Sequence, residues 1–524
     1  MYSPPPDQAA QDGSAQDVRR TFLRRTIAPG TGGSIMITIG SLGVGWLPPT
    51  TPLADSQPFD ALRNTAVGFG LCRALLIAGG ALILQAWLVL GYDVLNGRIR
   101  DVRKMWITLA AWVAPLLVAA PLFSRDVYSY FAQGRLIAAG YDPYANGVSV
   151  LPGWFRDGVD PLWGETPTPY GPFFLMLERG VASLVGPNPV VGMLVLRLIS
   201  VAGLALMAMY VPRLAFLHGI DPAKALWLGV LNPLVLMHFI AGAHNDALMV
   251  GLMVAGLTLA AEGKPILGIL LVTLGGAVKP IGLVALPFAA LFWAGMHATW
   301  RRRIAAWAGT AVIALGTIVV LGAFIGVGLG WVRALSTPGT VKTWLSPATG
   351  IGLGIGNLSS YLHLGDISDP AVTIMRGIGM LVAVGIVLRL LLMPERRSPV
   401  RGAALALVAI VLLGPVIQAW YLIWPLPLLA VTGLRKPWHL RAVIVGTVGF
   451  VLYGLWEFSA SSDWFVDWYD ALAMFAAAAT IVLVVVASPK ERNLVLGSQF
   501  GDGLVPEDAP ARARAAQLVI RAPA

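Results

Sequence analysis

The residue types best able to do chemistry gather in Phe123-Ser124-Arg125-Asp126-Val127-Tyr128-Ser129-Tyr130, an acid, a base and two tyrosines at the end of an apolar run. An ionisable cluster at a membrane edge is costly and persists where something uses it. Asp126 and Tyr130 are four apart, so they share a face if residues 126–139 are helical. A carboxylate held there can act as general base toward a hydroxyl, with Arg125 and Tyr130 as substrate contacts. The plainer alternative is that Asp126 caps its helix or pairs with Arg125.

Other polar groups interrupt the apolar stretches downstream. His244-Asn245-Asp246 forms one such break and reads as a substrate-contacting turn. A His238–His244 metal pair is weak, because it lacks the third ligand and spacing of a zinc site. Lys279 precedes helix-breaking Pro280, where open backbone N–H groups suit an anion, although a snorkelling helix-end lysine is equally plain. Lys342 and Arg333 are further candidate cations. Arg197 sits inside an apolar run and must snorkel, pair with an acid or bind phosphate. Gln418, Trp420 and Tyr421 occupy another break, as a sugar-stacking face or part of an interfacial aromatic belt. The run from Gly350 to Gly356 mimics a phosphate loop. It lacks the following Lys-Ser/Thr and an upstream strand, so it is expected to be a flexible surface loop.

The elements that position these groups follow from composition. Of 524 residues, 57% are hydrophobic and 12% charged, about half the charged share of a soluble domain. The chain is therefore an all-α polytopic membrane protein, and its 59 glycines and 37 prolines suit close-packed and broken membrane helices. A net charge of +10 fits a positive-inside bias and anionic lipid without invoking nucleic acid. Cys72 is the sole cysteine, which excludes an intrachain disulfide. Apolar runs predict about 12–14 spans, several shorter than the ~20 residues a span needs. The reading divides the chain into a cytoplasmic tail (1–30), a multispanning domain (31–488) and a second cytoplasmic tail (489–524). With both termini inside, arginines and lysines collect in inner loops, and Asp126, His244, Lys279, Lys342 and Gln418 all fall outside. Two outer segments, 124–189 and 329–371, are too long for turns and hold Trp154, Trp163, Trp331 and Trp344, so they are expected to be structured. Within the first, Tyr170 to Gly186 reads as amphipathic or re-entrant.

Phe-Ser-Arg-Asp-Val-Tyr-Ser-Tyr at 123–130, Gly-Tyr-Asp-Pro-Tyr at 140–144 and Pro-Tyr-Gly-Pro at 169–172 come in that order. Leu-Asn-Pro-Leu-Val-Leu at 231–236, His244-Asn245-Asp246 and Val278-Lys279-Pro280 follow. Together they resemble the actinobacterial α-(1→6)-mannopyranosyltransferases that build the mannan core of lipomannan and lipoarabinomannan. The resemblance implies a GT-C fold in the plasma membrane, an extracytoplasmic active site and polyprenyl-phosphate mannose as donor. It places the first-loop acid at Asp126, with Ser124, Arg125 and Tyr130 beside it, and the histidine-amide-acid turn at His244, Asn245 and Asp246. The residues agree with that chemistry. A lipid phosphate leaves as an anion, so it needs cations rather than a protonating acid. One base without a covalent partner implies direct displacement with inversion. No metal or cofactor is required. A transporter or flippase, whose polar site should lie near the bilayer midplane, is the alternative from another class. A GT-C transferase for another sugar is the nearer one.

Overall fold

The computed structural model describes residues 20–52, 56–334, 342–393, 397–434 and 436–459. Among these residues the chain is helical and forms no strand. The principal helices are α1 (Ala28–Val44), α2 (Ala66–Leu95), α3 (Val102–Leu116), α4 (Asp126–Ala138), α5 (Pro172–Val185) and α6 (Pro189–Leu217). There follow α7 (Pro222–Gly229), α8 (Asp246–Ala261), α9 (Pro265–Val278), α10 (Leu286–Ala294) and α11 (Trp300–Ile325). The last are α12 (Pro347–Tyr361), α13 (Ser368–Leu392), α14 (Pro399–Leu413), α15 (Leu426–Thr432) and α16 (Pro437–Ser459). Starts are written in the sequence. Thr65 caps α2 by accepting from Gly68 N at 3.0 Å, and Asn188 caps α6 by accepting from Val190 N and Val191 N. Proline in the first turn opens α5, α6, α7, α9, α12 and α14, where its missing N–H costs nothing.

Six helices of the described residues are long and apolar enough to cross a membrane. They are the helix ending in α1, together with α2, α6, α11, α13 and α16. This is fewer than the spans expected. Several apolar runs are cut by proline or glycine into helices too short to cross, namely Pro265–Val278, Pro280–Ala294, Pro399–Leu413 and Ala419–Thr432. The runs 225–241 and 246–261 meet in one bent unit, Val235–Ala241 joined to α8 at 114°, which would count as a seventh span. The apolar run at 469–488 and the tail beyond it lie outside the described residues.

Three of these breaks carry the polar residues. At the elbow, Gly242 and Ala243 (φ 53°) reverse the chain just before His244. A side chain on Gly242 would come within 2.7 Å of His238 O and 2.8 Å of the His244 ring, so only glycine fits there. At the second break Lys279 is extended (φ −141°, ψ 123°), as a residue before proline must be. At the third, α14 stops at Gly414-Pro415, and a 3₁₀ turn, Ala419–Ile423, follows. Irregular backbone is tolerated at membrane depth where it is enclosed by protein or lines a cavity.

Within 124–189 the segment expected to be helical is α4, and the amphipathic stretch is α5. In 329–371 the glycine run is not a loop. Gly350 to Gly356 lie within α12. A Cβ on Gly352 would sit 2.5 Å from Val372 Cα, and one on Gly356 would sit 2.0 Å from Ser368 Oγ. These glycines let α12 and α13 pack backbone to backbone, as small residues do in membranes. Asn232 also has a packing role, accepting from Leu234 N and donating to Thr447 Oγ1 on α16.

The same close approach fixes the helix that starts at Asp246. A Cβ on Gly251 would lie 2.4 Å from Gly203 O, and one on Gly203 would lie 2.3 Å from Ala247 C. Ser200 on α6 donates to His244 O at 3.1 Å across this interface. Gly251→Ala is expected to separate α6 from α8, lowering stability by about 1–3 kcal/mol and reducing activity with it. Thermal unfolding in detergent checks this, and an unchanged midpoint would show that the crossing has slack.

Candidate active site

A cleft of about 530 Å³ opens where these breaks meet the 124–189 segment. Its lining is partly polar and aromatic, with Arg125, Asp126, Asp160, Trp163 and Tyr170, and partly apolar, with Ile281, Met380, Ile410, Val411 and Val416. Lys279, Gln418, Trp420, Tyr421 and Trp424 complete it.

Asp126 opens α4, behind Phe123 in the left-handed region (φ 67°), a strained conformation that clusters at functional sites. Its backbone N–H donates to Ser124 Oγ at 2.9 Å. Its Oδ1 accepts from Trp163 Nε1 at 3.0 Å, and its Oδ2 stands 3.8 Å from His244 Nδ1. Burial pushes the Asp126 carboxyl above the usual carboxylate range; the Trp163 hydrogen bond and the charge of Lys279 pull it partly back.

Asp246 has a different environment. Its side chain is fully buried, whereas that of Asp126 keeps 17% exposure. Lys279 Nζ donates to both of its oxygens at 2.9 Å, and Trp424 Nε1 donates to Oδ1 at 2.6 Å. Lys279 is also ringed by aromatic faces, 5.4 Å from those of Tyr421 and Trp424 and 6.0 Å from that of Tyr170. It remains 15% exposed and lines the cleft. The Arg125 guanidinium stacks over Trp46 at 3.7 Å. The His244 ring lies 4.1 Å from that of Trp420, and neither of its nitrogens has a hydrogen-bond partner among the described residues.

The structure thus gathers Arg125, Asp126, Lys279, Gln418, Trp420 and Tyr421 on one cleft, with His244 and Asp246 directly behind it. Other expectations are corrected. Arg197 is buried and donates to Leu117 O (2.9 Å) and Ala241 O (3.2 Å), so it ties α3 to the elbow instead of meeting phosphate. Lys342 is half-exposed, pairs with Asp369 and does not line the cleft. Tyr130 is buried, edge-on to Tyr170 and Phe174, one layer behind the cleft lining. Asn245 is buried at the elbow and does not reach the cleft either. The side chain of Arg333 lies outside the described residues. Asp160 and Met380 went unmarked as site residues in the sequence, because an isolated polar or apolar residue has no pattern to betray it. Trp163 and Tyr170 show in the sequence only as aromatic residues of the 124–189 segment, and Trp424 carries no signal beyond its apolar run. Among the described residues no group of three or more His, Cys, Asp or Glu side chains is arranged to hold a metal.

A helical membrane bundle with a carboxylate, a cation and aromatic rings on one cleft holds the groups that an integral-membrane group-transfer enzyme uses. The family model for the alpha-(1→6)-mannopyranosyltransferase N-terminal domain matches residues 27–295, and that for the MptB C-terminal domain matches residues 348–488. Alpha-(1→6)-mannopyranosyltransferase A of Mycobacterium tuberculosis is 36% identical over 94% of this chain and 97% of its own. A second alpha-(1→6)-mannopyranosyltransferase of that organism is 33% identical over 92% of this chain and 90% of its own. Alpha-(1→6)-mannopyranosyltransferase B of Corynebacterium glutamicum is 30% identical over 82% of this chain and 76% of its own. No solved structure matches. The chain belongs to the alpha-(1→6)-mannopyranosyltransferase family and is a glycosyltransferase. The transporter alternative falls with that finding.

Glu178 of α5 packs against α4 with its carboxyl fully buried, and neither oxygen has a partner among the described residues. Burial raises it well above the usual carboxylate range. A folded-state value above the unfolded one means that its contribution is full below the unfolded value and is lost as pH rises through the folded one. Glu178→Gln is therefore expected to melt less pH-dependently than the wild type, with its advantage on the alkaline side. Identical pH dependence in both would show that Glu178 ionises without cost.

Proposed function

We propose that the chain transfers mannose from polyprenyl-phosphate mannose to the 6-hydroxyl of a growing α-(1→6)-mannan, the core of lipomannan and lipoarabinomannan. Asp126 takes the proton of the attacking hydroxyl while the anomeric carbon parts from phosphate, with inversion and through an oxocarbenium-like state. The leaving phosphate is already an anion; Lys279 and Arg125 stabilise the charge it gains. The observation that carries this reading is the presence, in the lining of one cleft, of a part-exposed carboxylate and a set of apolar side chains. A water-borne sugar fits the first and a polyprenyl chain the second. Trp420 and Tyr421 line the same cleft and give the mannose aromatic surface to rest on. The reaction as drawn needs neither metal nor cofactor. The arginine-lysine asymmetry of the loops supports cytoplasmic termini in the plasma membrane and a cleft on the extracytoplasmic side.

Purified protein given radiolabelled polyprenyl-phosphate mannose and short α-(1→6)-mannosides is expected to lengthen them. Transfer from nucleotide-linked mannose alone would overturn the donor assignment. Lys279 needs care, because removing it strands a buried carboxylate, a loss of about 3–5 kcal/mol. Lys279→Met is thus expected to fold poorly, and Lys279→Met with Asp246→Asn to recover folding while losing ~10–100-fold in use of the lipid donor. Normal donor kinetics in the double variant would assign Lys279 to a purely structural role.

A further inference from the structure

The residue that aims the Asp126 carboxylate comes from the far side of the 124–189 segment. Trp163 ends a one-turn 3₁₀ helix, Pro161–Trp163. That turn is bonded beyond what its length requires. Asp160 Oδ1 accepts from Leu162 N at 2.9 Å, and Asp160 O accepts from Trp163 N at 3.0 Å. Leu162 O accepts from Thr166 Oγ1 at 2.6 Å, and Gly164 O accepts from Ser149 N at 2.9 Å. Gly164 itself packs under Trp154, where an added Cβ would come within 2.9 Å of the ring. The outcome of all this bonding is one indole N–H directed at Asp126 Oδ1. The same ring packs at 6.3 Å from Tyr170 and lines the cleft.

A carboxylate turns readily about its terminal torsion and would offer a hydroxyl either oxygen in varied planes. With Oδ1 held by the indole, the plane is fixed, and Oδ2 stands 3.8 Å from His244 Nδ1, beyond hydrogen-bond distance. We propose that Trp163 is the positioning residue of the base: its indole N–H sets the plane of Asp126 and selects Oδ2 for proton transfer. The inference rests on Asp126 being the base. It also makes the loop that walls the cleft part of the transfer step, since any shift of the 161–166 turn moves the donor N–H. Small errors in the aim of a reacting group cost rate steeply.

The test is the pH dependence of kcat at saturating donor and acceptor, in detergent-purified wild type, Trp163→Phe and Asp126→Glu. Besides its neighbour Arg125, Asp126 faces the titratable groups His244, Lys279, Asp160, Tyr130, Tyr170 and Tyr421, with Asp246 beyond His244. Trp163→Phe alters none of them. Phenylalanine keeps a ring against Tyr170 and lacks the donor. Losing a hydrogen bond to the charged form is expected to move the acid limb up by about one pH unit and to lower kcat ~10-fold or more. An unmoved limb overturns the proposal, whether kcat is unchanged or falls equally at every pH. Trp163→Leu, which also lacks an N–H, serves if the phenylalanine variant is recovered poorly. Asp126→Glu separates the two claims. A wild-type limb that stays in place in Asp126→Glu does not belong to Asp126, and the base assignment itself then fails. A limb that moves in Asp126→Glu and not in Trp163→Phe leaves the base standing and removes its positioning residue.

Discussion

The pair between Lys279 and Asp246 holds the cleft together. Each ion buried away from water costs several kcal/mol unless partners replace its hydration. Here the carboxylate receives both contacts from the ammonium and a third from the Trp424 indole. These groups come from the start of α8, the joint after α9 and the turn after the α14 break. Each segment is irregular where it meets the others, and none could be left irregular in lipid. The ion pair gives those interrupted backbones a common point, and α6 fixes it laterally by packing on α8 through Gly203 and Gly251.

That constraint separates the work of two acids that stand either side of one imidazole. His244 Nδ1 is 3.8 Å from Asp126 Oδ2 and 3.9 Å from Asp246 Oδ2. Asp246 is committed to a cation and closed off from the cleft; Asp126 accepts from the Trp163 indole and lines the cleft. Of the two, only Asp126 lies in the cleft, where a hydroxyl can reach it.

Much of this was legible in the sequence, for physical reasons. A segment beginning at Asp126 with Tyr130 one turn on had to be helical to share a face, and α4 is. Breaks such as Lys279-Pro280 and His244-Asn245-Asp246 announced themselves because polar residues and proline are expensive amid apolar runs. Other features had no local signal. Arg197 stands in a span as a phosphate ligand would, and only the fold shows it bonded to the carbonyls of Leu117 and Ala241. The glycines of α12 read as a loop because composition does not tell flexibility from close packing, and the partner helix decides. Span count suffers from the same blindness, since a run broken by proline looks like two short spans or one bent unit. The bond from Trp163 to Asp126 crosses 37 residues of sequence and has no periodicity to reveal it.

The central claim is that Asp126 carries the proton while Asp246 carries the architecture. Single-turnover transfer from pre-bound lipid donor, in Asp126→Asn and Asp246→Asn, tests it most directly. The account predicts that Asp126→Asn folds and binds donor yet loses ~10²–10⁴ in rate. It predicts that Asp246→Asn is less stable but transfers mannose in its folded fraction. Near wild-type transfer by Asp126→Asn beside a folded but inert Asp246→Asn would contradict it.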